Sequence, residues 1–171
     1  MVALAGCGGG GGDSRQSADV TFTRTDGSQP TFPQKVRAWC GPYDDESPET
    51  EAVHVMAGER RRDEPTALWI LSAVRADIER NPVTNLPNSF VSTEPQGAGL
   101  FAYDAEDREN ELSSAEEEAK GTIRVELEGC EPGDTVRVEF EEVVLGSEYF
   151  DLTTISVEGA VAAEIGDAPY R

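Results

Sequence analysis

Thr122-Ile123-Arg124-Val125-Glu126-Leu127-Glu128-Gly129-Cys130-Glu131-Pro132-Gly133-Asp134-Thr135-Val136-Arg137-Val138-Glu139-Phe140-Glu141 is the stretch that decides the fold. Ile123, Val125 and Leu127 alternate with Arg124, Glu126 and Glu128. Past the turn, Val136, Val138 and Phe140 alternate with Arg137, Glu139 and Glu141. A strict period of two marks a half-buried strand. Between the two runs, Glu131-Pro132-Gly133-Asp134 carries Pro at the second position and Gly at the third, which suits a type II turn. The stretch is a hairpin. Glu141-Glu142 then shifts the parity by one residue, as a β-bulge does.

The same period recurs on both sides. Ile155, Val157, Val161, Ala163 and Ile165 share one parity, and Gly159 interrupts it at an expected bend or bulge. Upstream, Val20 to Arg24, Gln34 to Cys40, Ala52 to Ala57, Ser89 to Thr93 and Gly99 to Tyr103 are further strand candidates. Thr66 to Arg80 supports two readings. Leu68, Leu71, Val74 and Ile78 nearly fit a helical period with Thr66 as N-cap, whereas Trp69, Ile70, Leu71, Val74 and Ile78 suit a long central strand. Strands on either side favour the second. The expected fold is all-β, an antiparallel β-sandwich of immunoglobulin-like or jelly-roll-like type, with about 7–9 strands and room for one short helix. Asp104 to Glu118, with eight carboxylates and one Arg, is expected to be an exposed connection in which Ser113 or Ser114 caps a helical turn.

Among 171 residues, 34 are Asp or Glu and 14 are Lys or Arg, a formal charge of -20. Nucleic acid is excluded as a partner, because displacing its counterions takes a surplus of Lys and Arg. Adhesion to anionic headgroups is excluded for the same reason. No run of about 18 apolar residues occurs, so no helical span is expected. Alternating strands put the charge on their outward faces and in the connections. Lys is confined to Lys35 and Lys120, a bias similar to that of salt-adapted prokaryotic proteins, and self-repulsion should weaken the domain at low salt.

Leu4-Ala5-Gly6-Cys7, followed by Gly8 to Gly12, resembles the lipobox and tether of prokaryotic lipoproteins. The resemblance implies a diacylglycerol on Cys7, cleavage before it, and a location on the extracytoplasmic side of the cell membrane. A leader also needs a charged n-region and an apolar stretch of about 7–15 residues, so both are expected upstream of Met1. The expected organisation is 1–6 as the end of the signal peptide, 7–18 as anchor and Gly-rich tether, 19–166 as the β domain and 167–171 as a tail. The body resembles uncharacterised all-β lipoprotein domains. With Cys7 acylated, Cys40 and Cys130 remain as a natural disulfide pair in an oxidising compartment.

Catalytic and ligand signals are sparse. The single histidine, His54, lies opposite Val53 and Val55 in alternation, facing solvent or a neighbouring strand, and no Gly-x-Ser-x-Gly nucleophile accompanies it. Gly97-Ala98-Gly99 reads as a loop before a strand, without a nucleotide-binding turn. Asp104, Glu106, Asp107, Glu109 and Glu111 could ligate calcium but do not follow the EF-hand order, and Asp44-Asp45-Glu46 is a similar cluster. Both read as solvated acidic surface, and Glu59-Arg60-Arg61-Arg62-Asp63-Glu64 as a turn. No cofactor or metal is expected. The expected function is that of a membrane-anchored, non-catalytic binding or envelope-associated module, held by lipid on Cys7 and facing an extracellular or envelope ligand. The alternatives are a calcium-stabilised adhesion or carbohydrate-binding sandwich, and a small secreted hydrolase using His54.

Overall fold

A computed structural model describes residues 18–45, 47–58, 67–88, 95–103, 111–147 and 154–168. Ten strands and one short helix follow in the order β1 (Ala18–Arg24), β2 (Val36–Pro42), β3 (Glu51–Ala57), β4 (Leu68–Val74), α1 (Arg75–Arg80), β5 (Val83–Asn85), β6 (Ala98–Tyr103), β7 (Glu111–Ser113), β8 (Lys120–Leu127), β9 (Thr135–Ser147) and β10 (Ile155–Glu164). The chain is all-β, and every strand pair is antiparallel. The count is ten because β5 and β7, of three residues each, are too short to leave an alternation. The expected strand at Ser89 to Thr93 lies outside the described residues.

The deciding hairpin is β8–β9, with Leu127 opposite Val136, Val125 opposite Val138 and Ile123 opposite Phe140. Its turn closes through Asp134 N–H donating to Glu131 O at 3.0 Å. Gly133 has φ +97°, the left-handed conformation that the third position of a type II turn requires. The bulge falls where the doubled Glu stands. On one side Lys120 pairs Val144 and Thr122 pairs Glu141; on the other Val157 pairs Val143 and Gly159 pairs Phe140. Glu142 occupies φ +50°, and a Cβ on Gly121 (φ +100°) would collide with the Glu142 carbonyl. Inward residues are therefore Val136, Val138 and Phe140 before the bulge, and Val143 and Leu145 after it.

That change of phase lets β9 serve two halves of one curled sheet. Its length pairs with β10, which pairs with β1, while its opposite edge carries β8 and, beyond the bulge, β7. From β7 the path continues through β6, β4 and β3 to β2. The two ends of the path then meet. Ala38 of β2 bridges to Ile165, Gly166 N–H donates to Ala38 O at 2.9 Å, and Ala18 N–H donates to Gln34 O at 3.1 Å. A single core fills the interior, with Trp69 (1% exposed) between Phe22 at 6.5 Å and Phe140 at 6.3 Å, and Phe32 against Phe22 at 4.1 Å between ring centroids.

Thr66 to Arg80 resolves into both readings in series. Trp69, Leu71 and Ala73 face the core from β4, and the chain then turns into α1, whose one buried residue is Ile78. The spacing of Val74 and Ile78 comes from the helix and that of Trp69, Leu71 and Ala73 from the strand. The expected cap Thr66 lies outside the described residues. Asp104 to Glu118 needs a correction. Its end forms β7 and a buried Ser114 rather than an exposed helical turn, because the outer edge of β6 needs partners there. Ser114 Oγ accepts Leu100 N–H at 2.9 Å, Leu100 O accepts Ser114 N–H at 2.9 Å, and Thr84 Oγ1 accepts Ala98 N–H at 2.9 Å. Asn88 Nδ2 donates to Ala98 O at 2.8 Å. Side chains thus finish the ladder that β7 is too short to complete, and no buried backbone donor can be left unpaired cheaply.

Candidate functional site: an uncharged face on the β2–β3–β4–β6 strands

Outer faces of the two halves differ in chemistry. On the β1–β10–β9–β8 half, outward positions hold Asp19, Glu158, Glu164, Arg137, Glu139, Glu141, Arg124 and Glu126. Arg124 approaches Glu139 at 3.8 Å and Glu126 at 3.9 Å, exposed pairs that contribute little. On the other half, register places Trp39, His54, Ser72 and Gly99 in one row, and Arg37, Met56, Ile70 and Phe101 in the next, with Leu68 opposite Tyr103 beyond. Across β3, β4 and β6 this face carries no formal charge. Trp39, Leu68, Ile70, Phe101 and Tyr103 are half-buried, and Met56 is buried.

His54 anchors the row. It lies on the face opposite Val53 and Val55, as alternation requires, but it is buried at 5% exposure rather than solvated. The reason is lateral cover. Trp39 stacks on the ring from β2, with centroids 5.1 Å apart and planes 22° from parallel. Nε2 donates to Pro42 O at 3.0 Å, so in the neutral ring Nδ1 accepts from the Ser72 hydroxyl at 2.8 Å. Burial holds its pKa below the usual histidine value, with the Pro42 hydrogen bond opposing. Both ring nitrogens are engaged, Nε2 by a backbone carbonyl and Nδ1 by the Ser72 hydroxyl. Just past β2, the Tyr43 phenol is held above its ordinary range by burial and, second, by the Asp44 charge.

Cys40, in β2, and Cys130, in the β8–β9 turn, stand at disulfide distance, with Cα atoms 5.7 Å apart across 90 residues of sequence. They join one end of the strand path to the opposite half of the sheet. Asp44 Oδ1 accepts Ser47 N–H at 2.6 Å within the β2–β3 connection, while Glu46 lies outside the described residues. The lipobox with Cys7, the Gly-rich tether, Glu59 to Glu64 and the carboxylates Asp104 to Glu109 lie there too. Among the described residues no group of three or more His, Cys, Asp or Glu side chains is arranged to hold a metal. Of the expected loop Gly97-Ala98-Gly99 only Gly97 precedes the strand, its N–H donating to Asp77 Oδ2 at 2.9 Å, while Ala98 and Gly99 open β6.

Comparison of the chain with protein-family models, curated proteins and solved structures finds no match. The face is therefore read from its own chemistry. Its members were hidden in the sequence because it belongs to no single strand. One signal pointed to it: Leu68 to Leu71 and Phe101 to Tyr103 are apolar at both parities, a pattern that a strand with one solvated polar face does not show.

Proposed function

We propose that the chain is a non-catalytic binding module, tethered through acylated Cys7 to the extracytoplasmic side of the membrane, with the β2–β3–β4–β6 face as its working surface. The carrying observation is the contrast between the two outer faces. In a chain with 28% charged residues, the outward positions of β3, β4 and β6 carry no formal charge, while those of β1, β8, β9 and β10 include Asp, Glu and Arg. Uncharged, aromatic- and Met-bearing centres within a charged surface are the composition of recognition surfaces. A Cys40–Cys130 bond belongs to the same reading, since disulfides persist in oxidising compartments.

Two measurements test this. Intact mass of membrane-extracted protein should show a diacylglycerol-sized addition at Cys7 and the loss of two hydrogens for the bond. Cys7→Ala should move the protein to the soluble fraction. Separately, full-length protein should be retained on washed envelope fragments from the source organism. Ile70→Glu should reduce that retention and Glu139→Gln should leave it unchanged. Equal retention of both variants would remove the face from the proposal.

A further inference from the structure

We infer that the uncharged face binds a neutral polysaccharide, with Trp39 and Phe101 as stacking platforms; this rests on the face being the working surface. Three observations select that ligand class. The first is charge. With a net charge of -20, the protein repels nucleic acid, acidic polymers and anionic lipid at long range. Across β3, β4 and β6 the face offers no carboxylate; Arg37 stands at its β2 rim and Glu111 is paired with Tyr103 at its β7 rim. Recognition at its centre does not rest on opposite charge.

The second is size. Four strands at about 4.8 Å spacing and the five residues from Leu68 to Ser72 at about 3.4 Å rise span roughly 14 by 14 Å, on the order of 200 Å². A stable interface between proteins takes about 800 Å² per partner. A second copy docked by this face alone falls well short, and it would bring two strongly acidic chains together. A short stretch of polymer fits the footprint.

The third is the makeup and rigidity of the surface. Pyranose rings present C–H faces edged by hydroxyls. Aromatic rings with polar tips answer both, the indole N–H of Trp39 and the phenol of Tyr103 flanking the apolar Phe101, Ile70 and Leu68. Trp39 is also preorganised. His54 stacks on it, and that ring is fixed in turn by Ser72 and by Pro42 O, so little side-chain freedom remains to be lost on binding.

Affinity electrophoresis of the full-length protein through gels containing soluble β-glucan, mannan, xylan or galactan, with alginate as the acidic control, tests the inference. At least one neutral polymer should retard the protein, equally at low and molar sodium chloride, and alginate should not. Trp39→Ala and Phe101→Ala should each weaken retardation by about tenfold, and Glu139→Gln should not. Melting curves of the variants exclude unfolding as the cause. Absence of retardation by every neutral polymer, or retardation insensitive to Trp39→Ala and Phe101→Ala, overturns the inference. If Ile70→Glu still abolishes retention on envelope fragments in that case, the binding face stands and only the ligand class falls. If it does not, both fall.

Discussion

Cutting the link between Cys40 and Cys130 should destabilise the domain strongly. The pair spans 90 residues, more than half the chain. On the chain-entropy account, a crosslink closing a loop of that length removes conformations from the unfolded ensemble worth about 4–5 kcal/mol. For a domain of this size each kcal/mol moves the melting temperature by about 2–4 °C, so the expected drop is roughly 9–18 °C. Geometry adds a local expectation. β2 ends the strand path and is tied to the far half by this pair and by the Ala38–Gly166 contact, so β2 should lose exchange protection before β8 and β9 do. The assay compares thermal melts of a Cys7→Ser chain, which has no third thiol to scramble the bond, with the same chain also carrying Cys40→Ala and Cys130→Ala. Both sulfur-bearing side chains are half-buried, so little packing is lost with them. Melting temperatures within about 3 °C of each other would refute the reasoning, as would free thiols at both positions in the oxidised parent.

Other consequences are open to simple measurement. Burial depresses the His54 pKa below its ordinary 6.5. The unfolded chain therefore binds the proton first, and stability should fall as pH drops below about 6.5 toward the folded value. Urea denaturation between pH 5 and 7 should show that slope, and His54→Gln should flatten it. Thr84→Val keeps the shape of the side chain but leaves the buried Ala98 N–H without its acceptor, as Ser114→Ala does for Leu100. Each should cost about 1–3 kcal/mol in denaturant titration, and a cost under 0.3 kcal/mol would show that the edge of β6 is satisfied otherwise. Raising sodium chloride from low to molar concentration should raise the melting temperature by screening the surplus carboxylates, and a flat profile would contradict this.

Legibility followed how local the physics was. The β8–β9 hairpin, its turn and its bulge could be read because alternation, Pro132-Gly133 and the doubled Glu141-Glu142 all act within a few residues. β10 was legible for the same reason. Thr66 to Arg80 was half legible, since a strand passing directly into a helix mixes two periods, and no side chain caps the junction at Val74. β7 and the burial of Ser114 were illegible. Their cause is an edge of β6 roughly a dozen residues away in sequence, invisible to any local pattern. His54 shows the same limit: parity gave its face, but its burial depends on Trp39 from another strand. The candidate face is the extreme case, existing only once β2, β3, β4 and β6 lie side by side.

The bulge in β9 also works as a reading-frame marker for the architecture. Before it, even-numbered residues point inward, and after it odd-numbered ones do. Losing either Glu141 or Glu142 would restore plain alternation with Val143 and Leu145 still inward, and would remove the bulge that holds Glu142 in the left-handed region against Gly121. Adding a residue just after the bulge, with the bulge kept, would instead turn Val143 and Leu145 to water and Val144 and Gly146 to the core. Outward residues along β9 can thus be exchanged one for one, whereas an insertion at this one point would invert everything after it.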